Sequence, residues 1–337
     1  MDRNRFWRLN ARPVSTDFAA ALSLEEECIP EPRPGEVVIR NDWISLDAGT
    51  RMWMTARTDS YSPPLALGAK MVGLNLGRVI ASRADGFAEG VLVRCFGQWA
   101  DYAIVEPAAS GLTRLAEDVD PRQHFGALGM NAWAAFGGLT DIARVQPGET
   151  VLVSAAAGAT GSLACQIARN LGARVIGIAG GAEKCRYLRD VLGVELAIDY
   201  KHDNIAAALA GVAGRINVYF DNVGGPILDA VLPNMALHGR VSVCGLIASY
   251  GSATPQPGPA RFDQVLMKRL TIQGFLLPDF MARAVGYYPQ LREWLDAGQL
   301  DMRFDETRGL ENVLTAYAGL LTGANTGKVI VDTRVTA

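Results

Sequence analysis

The stretch Val151-Leu-Val-Ser-Ala-Ala-Ala-Gly-Ala-Thr-Gly161 decides the fold, with Ser162-Leu-Ala-Cys-Gln-Ile-Ala-Arg-Asn-Leu-Gly172 behind it. Three apolar strand formers run into a turn of small residues, and helical spacing then sets in. A strand, a tight turn and a helix N-terminus present backbone N–H groups and a positive helix end to a pyrophosphate. The usual fingerprint of that geometry is Gly-x-Gly-x-x-Gly after a strand. Here the turn reads Ala155-x-x-Gly158-x-x-Gly161, with alanine in place of the first glycine. Such a turn alone is weak evidence, so its neighbours decide.

A second strand, Ala173-Arg-Val-Ile-Gly-Ile-Ala-Gly180, follows Gly172, a residue suited to a left-handed helix stop. Together these segments make a βαβ unit. At the end of the second strand, an NAD-selective site would place an Asp or Glu on the ribose 2′-hydroxyl. This chain has Gly180-Gly181-Ala182 there, then Glu183, Lys184, Cys185 and Arg186. Removing the acid and supplying a cation suits a 2′-phosphate, which favours NADP over NAD. The plain alternative is that Lys184 and Arg186 are ordinary exposed helix residues.

The 337 residues are enough for two domains, each with its own core. Apolar residues at 49% and charged residues at 20% argue against disorder. A net charge of −3 suggests neither a nucleic-acid nor an anionic-membrane surface. The opening Met1-Asp-Arg-Asn-Arg-Phe-Trp7 has no apolar signal core, and no run is long enough to span a membrane. Cys28, Cys95, Cys165, Cys185 and Cys244 are scattered, without a Cys-x-x-Cys pair, which speaks against a disulfide scaffold or structural zinc. A cytoplasmic enzyme is the expectation.

Up to about residue 125 the chain alternates short strand-like runs with turns: Val37 to Ser45, Asn75 to Ala81, Gly90 to Phe96 and Ala100 to Val105. Further strands are expected at Leu196 to Tyr200, Ile216 to Asp221, Gly239 to Gly245 and Leu270 to Phe275, with helical stretches between most of them. That alternation implies a doubly wound parallel sheet. The last run, Lys328 to Asp332, is expected to return to the first domain. The expected division is 1–126, then a dinucleotide domain over 127–298, then 299–337 rejoining the first part.

Several runs together resemble the medium-chain dehydrogenase/reductase superfamily, in its zinc-free branch of prostaglandin/leukotriene, curcumin and plant double-bond reductases. They are Pro147 to Gly158, Gly177 to Leu188, Ile198 to Lys201, Val218 to Gly225, Val243 to Tyr250 and Asn325 to Lys328. The resemblance implies a Rossmann α/β dinucleotide domain joined to a β-rich, GroES-like catalytic domain, and NADPH as cofactor. It implies that Gly158, Ala159, Thr160 and Gly161 face the pyrophosphate. Gly180, Lys184 and Tyr200 would face the adenosine 2′-phosphate. Asn222, the loop Cys244, Gly245, Leu246, Ile247, Ala248, Ser249 and Tyr250, then Phe275, Leu276, Leu277 and Asn325 would line the ribose and nicotinamide side. Plain roles stand beside these: Phe275 and Leu276 as strand core, Asn222 and Asn325 as turn formers.

The three histidines, His124, His202 and His238, sit in no Gly-His-Glu motif, and no Cys and His share ligand-like spacing. His124 and His238 read as surface or helix-end residues, and no metal site is expected. A nicotinamide site without a Lewis acid suits reduction of an activated C=C bond, with a hydrogen-bond donor at the carbonyl oxygen. Tyr250 is the first choice for that donor; packing against the cofactor ribose is its alternative role.

Two departures from the family bear on the pocket. Asp47-Ala-Gly-Thr-Arg51 has Gly49 where relatives carry an aromatic residue, and Met130-Asn-Ala-Trp-Ala-Ala-Phe136 has Asn131, Trp133 and Ala134 where they carry Pro, Leu and Thr. An altered substrate pocket follows. The leading expectation is reduction of α,β-unsaturated ketones or aldehydes with NADPH. A quinone reductase of the same fold and a non-catalytic NADPH-binding protein are the alternatives. A homodimer is expected, paired at a sheet edge near Val241 to Cys244 or Leu270 to Gln273.

Overall fold

The computed structural model describes residues 3–251 and 257–334, and the chain divides into two units, 1–124 with 304–337 and 125–303. In the first unit, β1 (Arg3–Leu9) and β2 (Leu22–Cys28) form an antiparallel hairpin that sequence pattern alone did not single out. Next come β3 (Val37–Ser45), α1 (Thr50–Trp53), β4 (Val72–Ser82), β5 (Leu92–Gln98), β6 (Tyr102–Val105), α2 (Pro107–Ser110) and β7 (Thr113–Arg114). β3 is buried at every residue but Arg40, as an interior strand of Val, Ile and Trp should be. It pairs antiparallel with both β4 and β6. Gly77 lets β4 approach, because a Cβ there would lie 2.0 Å from the Arg40 carbonyl oxygen.

The second unit holds α3 (Met130–Gly137), β8 (Thr150–Val153), α4 (Ala159–Asn170), β9 (Arg174–Ala179), α5 (Ala182–Arg186), β10 (Leu196–Asp199), α6 (Ile205–Ala210) and β11 (Ile216–Asp221). It continues through α7 (Gly225–Val231), β12 (Met235–Val243), α8 (Asp263–Lys268), β13 (Thr271–Gly274) and α9 (Met281–Asp296). The strands form one sheet in the order β10-β9-β8-β11-β12-β13, parallel at every neighbouring pair. That is the doubly wound dinucleotide-binding order, which reverses between β8 and β11. Leu152, Ile176, Ile178, Ile198, Tyr219 and Val241 are buried in one cluster with Leu228 and Val231 of α7. Each such aliphatic side chain contributes roughly 1.5–3 kcal/mol by leaving water.

β12 is an interior strand with Val241 and Ser242 buried, so the edge expected at 241–244 is not there. β13 is the edge, and its four residues are exposed. Helix α4 begins at Ala159, three residues earlier than the helical spacing from Ser162 suggests, because the turn itself supplies the first helical residues. Gly172 does adopt the left-handed conformation, at φ 82°.

The chain then adds β14 (Phe304–Arg308), α10 (Val313–Thr322) and β15 (Lys328–Asp332) to the first unit. β15 lies parallel to β14 and antiparallel to β3, with Ile330 opposite Ser45. The last strand therefore lies in the N-terminal sheet. Among the described residues, no helix is long and apolar enough to cross a membrane.

Candidate active site

The turn after β8 is closed by its backbone. Gly158 N–H donates to the Ala155 carbonyl at 2.9 Å, and Ala156 N–H to Ile178 of β9 at 2.9 Å. Ala155 itself sits at φ 47°, the left-handed conformation for which glycine is preferred. A Cβ on Gly161 would lie 2.2 Å from the Ala155 carbonyl oxygen, so only glycine lets α4 pack on the turn. Gly158 is the helix N-cap and no side chain caps it. The first-turn N–H groups, those of Ala159 to Gly161, lack intrahelical acceptors by helix geometry and point out of the strand ends with the positive dipole. They fit a pyrophosphate. Thr160 is held in place by the Asn131 amide, which donates to its hydroxyl oxygen at 2.9 Å.

At the end of β9 the missing side chain of Gly180 has a steric reason. A Cβ there would lie 2.8 Å from the Tyr200 ring and 3.0 Å from Cε of Lys201. The ring and the lysine stem thus lie across the strand end where an NAD-selective site carries its acid. Gly181 takes φ 97° and donates its N–H to the Asp199 carboxylate at 2.7 Å. The same carboxylate accepts from Lys201 N–H at 3.0 Å and meets His202 Nδ1 at 2.7 Å. Burial opposes its ionisation, but these N–H and imidazole partners outweigh it and hold Asp199 below its ordinary value. Lys184 is half-buried on α5, and Arg186 is exposed. Lys201 and Asp199 were missed in sequence reasoning; the glycine pair at 180–181 was the signal that something large crosses the strand end.

At the ends of β11 and β12 the nicotinamide-side residues expected from the family form one hydrogen-bonded frame. Asn222 donates its N–H to Ser154 Oγ at 2.9 Å and its amide to the Ser154 carbonyl at 2.7 Å. The N–H groups of Cys244 and Gly245 donate to the Asp221 carbonyl, and those of Ile247 and Ala248 to Asn222 and Val223. Leu246 N–H donates to the Tyr250 hydroxyl oxygen at 3.1 Å, which folds the ring back toward Gly245. Ser249 N–H closes the loop on Leu246. Burial, with Asp221 nearby, pushes the Cys244 thiol up to about 12, so it is no nucleophile at neutral pH.

Phe275 is buried, its ring centroid 5.2 Å from Phe280 and 6.4 Å from Phe220, which is a packing role. Leu276 departs from the strand-core alternative: it is exposed and lies beyond β13, while Leu277 opens a short 3-10 turn. Trp133 and Ala134 are half-buried on α3 beside Asn131.

Gly49 and Asn325 belong to the other unit. Gly49 precedes α1 with φ −61°, and a Cβ on it would meet only Met52 Cε, at 3.8 Å. Space is open there for a larger side chain. Asn325 is buried and donates its amide to the Gly327 carbonyl at 2.9 Å, shaping its own turn. Lys328 is buried beside it, donating to the Leu46 carbonyl at 3.1 Å and to Asp47 at 2.5 Å. Burial works against the Asp47 anion, but Lys328 and the Ser45 hydroxyl hold its carboxyl below the ordinary value.

The histidines do not fit a metal cage. His124 is buried rather than on the surface, ending a 3-10 turn with Nε2 at 2.9 Å from the Ala116 carbonyl. Its own carbonyl accepts from Arg94 of β5 at 2.8 Å, a contact that sequence spacing does not reveal. His238 is exposed, and His202 is held by Asp199. Among the described residues no three His, Cys, Asp or Glu side chains gather as metal ligands.

A parallel sheet in dinucleotide-binding order and strand ends carrying an uncapped helix, a glycine pair and a hydrogen-bonded loop define a nicotinamide-dependent oxidoreductase fold. Family models described as "N-terminal domain of oxidoreductase" and "Zinc-binding dehydrogenase" match residues 5–114 and 159–297. The chain belongs to the medium-chain dehydrogenase/reductase family. It is 37% identical to the NADPH-dependent curcumin reductase of Escherichia coli over 98% of this chain and 96% of that one. It is 35% identical to a tobacco 2-alkenal reductase (NADP(+)-dependent), over 88% of this chain and 87% of that one. A crystal structure of CurA in complex with NADPH from Vibrio vulnificus matches at a TM-score of 0.91 and 37% identity, covering 98% and 100% of the two chains.

Proposed function

We propose that this protein is an NADP-dependent oxidoreductase that reduces the C=C bond of α,β-unsaturated ketones or aldehydes. The observation that carries the reading is the pairing of two strand-end features in unit 125–303. One is a β9 end with Gly180 in place of an acid, crossed by Tyr200 and Lys201. The other is a loop over 244–250 that fixes the Tyr250 hydroxyl oxygen at 3.1 Å from Leu246 N. The first suits a 2′-phosphate, with Lys184 and Lys201 as cations. The relatives named as NADPH-dependent or NADP(+)-dependent reductases support the same cofactor.

NADPH, when bound, supplies the hydride that reaches the β-carbon of the substrate. The chain's own residues do the rest. The first turn of α4 holds the pyrophosphate, and Asn222 with the 244–250 loop orients the ring end. Tyr250 donates its O–H to the carbonyl oxygen, where negative charge develops, and water protonates the α-carbon. Within the same unit, Trp133 and Ala134 of α3 shape the substrate side.

Two copies pair through β13. Its exposed edge carries Ile272, with Phe262, Leu266 and Met267 exposed close by in sequence, and an apolar open edge favours two-fold strand pairing. A reducing cytoplasm suits the five free cysteines.

Steady-state turnover of enones, alkenals and quinones with NADPH and with NADH tests the reading. Saturated carbonyl products formed with NADPH support it. Turnover of quinones alone, or tight NADPH binding without turnover, replaces it with a quinone reductase or a binding protein. Sedimentation of wild type and Ile272→Arg tests the dimer, which the charge at the edge should split.

A further inference from the structure

Asp221 ends β11 with no exposed surface, and its two carboxylate oxygens are treated very differently. Oδ1 accepts four hydrogen bonds: Tyr219 hydroxyl at 2.7 Å, Val223 N–H at 2.8 Å, Gly224 N–H at 2.9 Å and Ser154 hydroxyl at 3.1 Å. Oδ2 is buried and has no hydrogen-bond partner among the described residues. Every partner donates, which is the pattern of an ionised carboxylate, and a proton on Oδ2 would find nothing to bond. A buried anion with one oxygen left unpartnered costs stability, so its place at the strand end asks for a role.

We propose that Asp221 is an electrostatic residue of the cofactor site, whose buried charge favours the oxidised, cationic nicotinamide over the neutral reduced one. The inference rests on the reading above that Asn222 and the 244–250 loop hold the nicotinamide end. Asp221 is the common anchor of both: its backbone carbonyl holds Cys244 and Gly245, and its carboxylate holds the turn at 223–224. Among the described residues no cationic side chain donates to it; its four partners are neutral dipoles. Its field is therefore reduced but not cancelled, and a poorly screened interior carries it to the strand ends. The oxidised ring is a cation and gains from that field, whereas the reduced ring is neutral and does not.

The substitution Asp221→Asn separates charge from scaffolding. An asparagine carbonyl can replace Oδ1 as the four-fold acceptor, and its NH2 takes the place of Oδ2, so hydrogen bonding to the turn survives while the charge is lost. Dissociation constants for NADP+ and NADPH are measured by calorimetry on wild type, Asp221→Asn, Tyr219→Phe and Asn222→Ala, with thermal melting as the check on folding. In Asp221→Asn the preference for NADP+ over NADPH should fall about three- to tenfold, the size expected of one unit charge in such an interior. Tyr219→Phe keeps the charge and removes one neutralising dipole, so it moves the same ratio the opposite way. That variant decides the matter if Asp221→Asn does not fold. A ratio unchanged in both, or shifted toward NADPH by Tyr219→Phe, overturns the inference. If Asn222→Ala leaves both constants untouched, it is instead the placement of the nicotinamide that fails, and the inference falls with it.

Discussion

The side-chain amide of Asn131 donates to the Thr160 hydroxyl oxygen at 2.9 Å, tying α3 to the first turn of α4. Sequence reading put Asn131 on the substrate side. The bond gives it a second role, on the phosphate turn. Asn131→Ala should weaken NADPH binding about three- to tenfold, the worth of one hydrogen bond of roughly 0.5–1.5 kcal/mol, while leaving the ranking of enone substrates alone. Ala134→Thr should do the reverse. Titration of NADPH together with kcat/KM across an enone panel separates the two; an unchanged ranking in Ala134→Thr removes that residue from the pocket.

The turn itself makes a paired prediction. Ala155 pays for a left-handed backbone that glycine adopts freely, so Ala155→Gly should leave stability unchanged or raise it by up to about 1 kcal/mol. Gly161→Ala should lower Tm sharply and abolish NADPH binding, because its Cβ meets the Ala155 carbonyl oxygen at 2.2 Å. Denaturant melts of both variants check this, and a Gly161→Ala protein that melts like wild type contradicts the geometry.

Cofactor choice is predicted at the β9 end. Lys184→Ala and Lys201→Ala should each raise KM for NADPH about tenfold and leave KM for NADH nearly constant, since only NADPH carries the 2′-phosphate. Equal effects on both cofactors would show that these lysines serve the scaffold. Gly180→Ala should impair both cofactors by displacing Tyr200.

The Asp199 carboxyl is held below its ordinary value in the folded protein despite the opposing effect of burial. Its unfolded counterpart titrates near about 3.9. A depressed folded pKa means stability that is fully present above the unfolded value and is lost as pH falls through the folded one. The Tm difference between wild type and Asp199→Asn should therefore be largest near neutrality and shrink below about pH 4. A difference that grows on acidification would reverse the assignment.

Thiol chemistry offers a simple test of burial. Cys95, Cys165 and Cys244 are each pushed up to about 12 by burial, and Cys28 is exposed. Alkylation at pH 8 should therefore label Cys28 first, with buried Cys95 and Cys165 protected until the protein unfolds and half-buried Cys244 reacting between the two extremes.

Much of the dinucleotide unit was legible because strand, turn and helix follow one another locally. The strand ends at Asp221, Ser45 and Asp332 fall where alternation and turn residues put them. What escaped the sequence was partnership across distance. The packing of the β1–β2 hairpin, whose Trp7 donates to the Leu310 carbonyl, and of His124, whose carbonyl accepts from Arg94, depends on segments far apart in the chain. The place of Val241 inside the sheet depends on β13 lying outside it. Lys201 and Asp221 lie inside runs that carry the family resemblance, yet neither was singled out as a site residue; for Lys201, the missing Cβ of Gly180 was the trace of its crowding. Asn131 drew notice as a departure from the family, but nothing in its neighbours names Thr160.

The central claim is tested most directly by the product formed from a simple enone with NADPH, followed by mass spectrometry and NMR. The saturated ketone, two hydrogens heavier across the former C=C bond, formed faster with NADPH than with NADH, is the predicted result. An allylic alcohol, or no product from any enone while NADPH binds tightly, would contradict it.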